Sequence, residues 1–321
     1  LELRSPIIAG SCGLTSDVEK MVEMEKAGVG AVVLKSIFEE QINEETSGVF
    51  KAGYGMGDAY PEAEDYIKAY IRSNTIQKYV ELVRNAKSRL TIPVIASVNC
   101  FSGGEWVSFA RQLEEAGADA LELNVFILPV NEFKESAEVE NVYFEIVKSI
   151  KSQIKIPVSV KISHYFTNLS AFVDKIKAYG ANATTLFNRF YEPDININTL
   201  EMGAASVFST AAELRTTLRW TGILAGKDKK LEISASTGVH GGEAAVKLLL
   251  AGATTVQVCS VLYEKGIHVI EDINNFIGKW MDSKAFKTIG DYRGMLSYSS
   301  IENPDLYERA QFMKYFSNKQ Y

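Results

Sequence analysis

The sequence predicts a single α/β domain folded as a closed barrel of eight parallel strands with helices outside, and three observations carry that prediction. Eight short apolar runs recur along the chain, amphipathic segments separate them, and the passages from helix to strand share a punctuation of small residues. Alternating strands and helices build a parallel sheet, and eight such units close as a (β/α)8 TIM barrel. A doubly wound open sheet is the alternative topology for the same pattern.

In chain order the runs are Ile7–Ala9, Ala31–Leu34, Val94–Val98, Ala120–Leu123, Val158–Ile162, Thr184–Phe187, Leu231–Ala235 and Thr255–Val258. Their near-continuous hydrophobicity suits strands buried on both faces. Between them, residues 17–27, 106–116, 168–179 and 242–250 carry apolar side chains at helical spacing, the signature of one buried face. Four helices close on a small-residue step: Ala27-Gly28-Val29-Gly30, Ala116-Gly117-Ala118-Asp119, Tyr179-Gly180-Ala181-Asn182 and Ala251-Gly252-Ala253-Thr254. Glycine just past a helix end supplies a left-handed cap. Two further strands begin after Ile92-Pro93 and Ile156-Pro157, where proline removes no ladder hydrogen bond.

A chain of 321 residues with 46% hydrophobic residues would split into two domains at about 150 residues each, but barrels run longer as one unit. Residues 1–321 therefore read as one domain. Two connections, 37–75 and 188–230, exceed ordinary barrel loops and start at strand C-terminal ends, so they read as insertions after strands two and six that cover the C-terminal rim.

Lys and Arg total 34 against 40 Asp and Glu, a net charge of −6, with no basic run. This argues against a nucleic-acid partner, whose phosphates demand clustered cations. No window reaches the ~18 apolar residues of a membrane span and none has a signal-peptide layout, so a cytoplasmic protein without membrane contact is expected; the first residue, Leu1, leaves the true N-terminus open. Cys12, Cys100 and Cys259 stand far apart without a CxxC pair, which disfavours a disulfide framework or a zinc site.

In a barrel the ligand-facing side chains lie at the C-terminal ends of the strands. Those positions hold Ala9, Gly10, Ser11, Lys35, Ser36, Asn99, Asn124, Lys161, Ser163, Asn188, Arg189, Ser236, Thr237, Gly238, Cys259 and Ser260. They include no carboxylate pair and no metal-ligand cluster. The small residues of 236–242, followed by a helix, suit a phosphate, of either a cofactor or a phosphorylated substrate. Lys35 and Lys161 end apolar strands, where a lysine needs a partner or a ligand. With Asn99, Asn124 and Asn188 they suit a flat heterocycle such as a flavin, whose reduced anion a lysine could stabilise.

Ser5-Pro6-Ile7-Ile8-Ala9-Gly10-Ser11, Leu34-Lys35-Ser36, Leu121-Glu122-Leu123-Asn124, Val160-Lys161 with Tyr165-Phe166, and Ser236-Thr237-Gly238-Val239 through Gly252-Ala253 resemble the dihydroorotate dehydrogenase family over nearly the whole chain. Phe38-Glu39-Glu40-Gln41-Ile42 and 187–194 are similar to a bacterial dihydroorotate dehydrogenase-like subfamily. The resemblance implies an FMN-binding barrel, a flavoprotein oxidoreductase of the kind found in pyrimidine biosynthesis. The same resemblance leads to the expectation that it acts on CH–CH bonds by hydride transfer between flavin and a small pyrimidine-like or anionic substrate.

Carried onto this chain, FMN contacts are expected from Ala9, Gly10, Ser11, Lys35, Ser36, Asn99, Asn124, Lys161, Asn188, Ser236, Thr237, Gly238, Cys259 and Ser260. Substrate contacts are expected from Lys35, Tyr54, Asn131, Asn188 and Arg189, and catalysis from Lys161 and His164, with no metal. Three departures stand out. The loop that should follow its Asn with a Ser or Cys base reads Asn124-Val125-Phe126-Ile127-Leu128-Pro129-Val130-Asn131, Tyr54 replaces an Asn, and Arg189 replaces a small polar residue. A soluble electron acceptor and a homodimer are expected. A flavin-free barrel lyase or isomerase binding a phosphorylated substrate, and an FMN-binding protein without turnover, are the alternative readings.

Overall fold

The computed structural model describes residues 1–38, 61–99 and 103–309, the side chains of 61–72 and 103–106 excepted. Its parallel strands are β1 (Ile7–Ala9), β2 (Ala31–Val33), β3 (Ile37–Phe38), β4 (Val94–Asn99), β5 (Ala120–Asn124), β6 (Val158–Ile162), β7 (Ala183–Leu186), β10 (Glu232–Ala235) and β11 (Thr255–Val258). Strand β1 pairs with both β2 and β11, and β2 pairs onward with β4, so the sheet closes into an eight-stranded barrel. The short β3 prolongs the second staff of the barrel, with Ile37 opposite Val98.

Helices α1 (Val18–Lys26), α2 (Pro61–Arg89), α3 (Gly103–Glu115), α4 (Ser136–Lys151), α5 (Leu169–Ala178), α6 (Leu214–Lys227), α7 (Gly242–Ala251), α8 (Ser260–Lys265) and α9 (Val269–Ser283) connect and follow the strands. Local chemistry starts them where the sequence suggests: the Asp17 side chain caps α1 through Glu19 and Lys20, and Asn168 caps α5 through Ala171, each satisfying backbone N–H groups that have no helical partner. The main core is the annulus between strands and helices, with Leu121, Leu123, Val160, Phe172 and Leu248 all buried. Inside the barrel the polarity is divided. Ile8, Ala31, Val33, Ile95 and Ala120 form an apolar half, while Glu122, Lys161, Thr185 and Gln257 form a buried polar layer.

Two connections differ from the sequence reading. The stretch 37–75 is not loop throughout, because α2 begins at Pro61; its residues 39–60 lie outside the described residues. Within 188–230 the chain forms an antiparallel hairpin, β8 (Pro193–Asn196) with β9 (Glu201–Ala204), and then α6, which is the ordinary crossover helix. Only the part before Leu214 is therefore extra to the barrel.

Candidate active site

A cavity of about 200 Å³ opens at the C-terminal ends of β6, β7, β10 and β11. Gly10, Ser11, Lys161, Asn188, Arg189, Ser236, Thr237, Gly238, Cys259 and Ser260 line it, together with Phe187, Val207, Ser209, Val239 and Gln257. Strand register brings these distant residues together: Lys161 lies opposite both Asn124 and Thr185, and Ala235 lies opposite both Leu186 and Val256.

The floor is polar. Lys161, 8% exposed, has its Nζ 3.7 Å from Glu122 Oε1. Glu122 Oε2 accepts from Thr185 Oγ1 at 2.9 Å and from Gln257 Nε2 at 2.8 Å. A carboxylate this deep survives by such pairing. Beside it, Asn188 Nδ2 donates to Asn124 Oδ1 at 2.9 Å. Asn99, at the end of β4, keeps its Oδ1 buried and, among the described residues, without a hydrogen-bond partner.

The rim after β10 is built from backbone. Thr237 and Gly238 take positive φ of 77° and 79°, and a Cβ on Gly238 would meet the Leu214 nitrogen at 2.2 Å, so only glycine fits there. Thr237 Oγ1 donates to Phe187 O at 3.0 Å. The loop then runs into the N-terminus of α7, whose free N–H groups favour an anion. The insertion reaches over this loop: Gly238 N–H donates to Ser209 Oγ at 3.4 Å, and Ser209 N–H donates to Ser260 Oγ at 3.0 Å. His240 is held between Ser209 Oγ at 3.2 Å and Glu264 at 3.1 Å.

An aromatic wall closes one side. Phe126 meets Phe190 edge to face at 4.2 Å, Tyr165 lies 5.4 Å from Phe190, and His164 lies 4.3 Å from Tyr165 and 5.7 Å from Phe187. Burial lowers the His164 pKa below its ordinary value, which leaves a neutral imidazole with a lone pair free to accept a proton at pH 7.

Several expected residues stand elsewhere. Ala9 is fully buried in the sheet, and Lys35 is exposed and does not line the cavity. Ser36 is tied into a hydroxyl chain, 3.1 Å from Ser11 Oγ and 2.7 Å from Ser97 Oγ. Asn131 lines separate cavities against α4, and Tyr54 and Cys100 lie outside the described residues. Arg189 lines the cavity, yet Nε donates to Glu213 at 3.0 Å, Nη2 to Glu192 at 3.3 Å, and Nη1 to the carbonyls of Ser206 and Val207. Its charge is spent on the insertion.

The polar layer of Glu122 and Gln257 was invisible to a reading confined to strand ends. Its signal was nonetheless in the sequence, as single polar residues inside the runs Leu121-Glu122-Leu123 and Val256-Gln257-Val258. A larger cavity of about 410 Å³ lies at the opposite end of the barrel, between Leu3, Ile95, Ser159 and Thr255, away from the rim where barrel enzymes hold their chemistry.

A buried ammonium, an amide pair and the buried Asn99 oxygen fit the edge of a flavin ring, and the Thr237–Gly238 cradle with the α7 N-terminus fits its phosphate. The fold and site together define a barrel enzyme of the cofactor-dependent oxidoreductase class. The family profile described as Dihydroorotate dehydrogenase matches residues 1–281. The chain is 29% identical to the protein named Dihydroorotate dehydrogenase B (NAD(+)), catalytic subunit, of Thermoplasma acidophilum, covering 92% of this chain and 96% of that one. The protein of the same name from Pyrococcus furiosus is 26% identical, covering 92% and 96%. The chain belongs to the dihydroorotate dehydrogenase family, FMN-dependent oxidoreductases that act on a CH–CH bond of a pyrimidine. No helix among the described residues is long and apolar enough to cross a membrane.

Proposed function

We propose that this protein transfers a hydride between FMN and a small pyrimidine-like or anionic ring in the cavity above Lys161, oxidising a CH–CH bond and passing the electrons to a soluble acceptor in the cytoplasm. The observation that carries the reading is the convergence of Lys161, Asn188, the Thr237–Gly238 cradle and Ser260 on one cavity. FMN, when bound, would supply the hydride acceptor. Lys161 and the Asn124–Asn188 pair would hold the ring edge, with Asn99 adding an acceptor, and the Lys161 charge would favour negative charge placed beside it. Ser236, Thr237, Gly238 and Ser260 would hold its phosphate.

The substrate face is rebuilt. Val125, Phe126, Ile127 and Leu128 cannot accept a proton, and general-base catalysis is worth about 10² to 10⁴-fold. His164, neutral and on the aromatic wall, is the group that takes the substrate proton. Arg189 holds the insertion through Glu213 and Glu192, so recognition of an anionic substrate falls to other donors of the rim. The exposed apolar side chains Ile197, Leu200 and Met202 of the hairpin, each more than 60% exposed, support burial against a second copy.

An absorption spectrum and anaerobic reduction test this reading together. The expected protein is yellow with FMN, dihydroorotate reduces it slowly or not at all, other dihydropyrimidines reduce it faster, and His164→Ala slows that step. A protein that takes up no FMN would overturn it in favour of the flavin-free lyase or isomerase. Turnover of dihydroorotate in the ordinary ~1 to 10³ s⁻¹ range, unchanged in His164→Ala, would show that the base is another group.

A further inference from the structure

Strands β1 and β11 are parallel neighbours, with Ala9 opposite Val258, and the pairing continues one residue further as Gly10 N–H donates to Val258 O at 2.8 Å. The chain segments leaving the two strands therefore rise side by side, and each carries a cysteine within three residues: Cys12 and Cys259. Neither is in a disulfide, both are partly exposed, and Cys259 Sγ lies 4.0 Å from the carbonyl oxygen of Ser11, the residue before Cys12. Nothing in the chemistry proposed for the cavity uses them as a pair.

We propose that Cys12 and Cys259 form a reactive dithiol that peroxides oxidise reversibly to a disulfide. The two sulfurs have unequal surroundings. Cys12 opens the short turn Gly13–Ser16, and Cys259, Thr15, Leu14 and Tyr263 beside it all favour its thiolate. Tyr263 is itself placed by accepting from Leu14 N–H at 3.2 Å and by stacking on Phe208. Together these neighbours outweigh burial and bring the Cys12 pKa down to about 6, led by Cys259. Cys12 in turn, with burial, raises the Cys259 pKa and keeps that thiol protonated. A thiolate beside a neutral thiol is the division of labour between an attacking and a resolving cysteine.

The chemistry closes without another reactant. The Cys12 thiolate attacks one oxygen of hydrogen peroxide; the S–O bond forms, the O–O bond breaks, and hydroxide leaves to be protonated to water. Cys259 sulfur then attacks the Cys12 sulfenic acid; the S–S bond forms, the S–O bond breaks, and hydroxide leaves with the Cys259 proton as a second water. Two thiols lose two electrons, and the peroxide gains them. A thiol reductant returns the pair by exchange.

The test uses the full chain, treated with stoichiometric hydrogen peroxide, alkylated and digested for mass spectrometry. The expected product is one cross-linked peptide pair joining Cys12 to Cys259, lost after dithiothreitol. In Cys259→Ser, Cys12 is expected to accumulate as a sulfenic acid trapped by dimedone, and in Cys12→Ser the remaining Cys259 is expected to stay reduced. A measurement on the unsubstituted protein guards against variants that fail to fold: at pH 7, Cys12 should alkylate several-fold faster than it does in the urea-unfolded chain. Absence of the cross-link in folded protein, or alkylation of Cys12 no faster than in the unfolded chain, overturns the proposal. Both readouts follow thiol chemistry rather than turnover, and since Cys259 lines the cavity proposed for FMN they are taken with and without added FMN, so their failure is distinguishable from failure of the proposed oxidoreductase activity.

Discussion

Lys161 is a residue whose position makes sense only through its neighbours. An ammonium 8% exposed would be expelled from an apolar barrel, and Glu122, 1% exposed, offers the counter-charge at 3.7 Å. The pair sits under the rim, so its charge acts on whatever occupies the cavity. Lys161→Ala is expected to slow flavin reduction about 10²-fold, the usual effect of losing one preorganised charged donor, as read by anaerobic stopped-flow absorbance; unaltered reduction would refute the role. Glu122→Ala should act on stability instead. It strips Thr185 and Gln257 of their shared acceptor and Lys161 of its counter-charge, and breaking a buried pair from one side costs about 3–5 kcal/mol. Urea unfolding would show this as a lower midpoint, and a loss below about 1 kcal/mol would mean that water replaces the carboxylate.

At the scale of elements, the N-terminal end of the barrel repeats one construction. Glu25 of α1 accepts from the backbone N–H groups of Thr91 and Ile92, just before β4, and Glu114 of α3 accepts from those of Lys155 and Ile156, just before β6. Asp119, ahead of β5, accepts from Val94 N–H at 2.7 Å, and Asn182, ahead of β7, accepts from Val158 N–H at 2.9 Å. The matching sequence signs, Gly117-Ala118-Asp119 and Gly180-Ala181-Asn182 with two Ile-Pro steps, read as turns and strand starts from sequence. Their acceptor role depends on a neighbouring strand that the local sequence does not name. Glu114→Ala is expected to cost about 1–2 kcal/mol by orphaning two N–H groups, while Glu114→Gln, which keeps an acceptor oxygen, should lose less than half of that. Equal losses in the two variants by thermal unfolding would show that packing rather than acceptance matters.

For the whole molecule, carboxylates held below their ordinary pKa set the acid limit. Asp228 is lowered first by its contact with Lys177. Glu25 is lowered although burial opposes it, because hydrogen bonds from Thr91 and Ile92 and the charge of Arg4 outweigh burial. Glu213 is lowered against burial by Thr210 and Arg189. A depressed folded pKa stabilises the protein above the unfolded value, about 4, and that contribution is lost as pH falls through the folded value. The melting temperature should therefore hold between pH 7 and about 5 and fall as pH drops below about 4. Since Glu213 anchors Arg189 on the insertion, FMN release is expected to accompany the first loss; a melting temperature that rises on acidification would contradict this account.

The sequence by itself determined the order of strands and helices, the closed parallel barrel and the rim positions of Lys161, Asn188 and Thr237–Gly238. Those features follow from hydrophobic period, helix caps and glycine steps, which act over a few residues and leave marks in the chain. Tertiary structure alone decided that Arg189 is consumed by Glu213 and Glu192, that Lys35 and Asn131 stand away from the cavity described, that Glu122 and Gln257 underlie Lys161, and that Cys12 meets Cys259. Each of these depends on which distant strands and loops closure of the sheet makes neighbours, and a side chain's partner across that closure has no signature in the residues beside it.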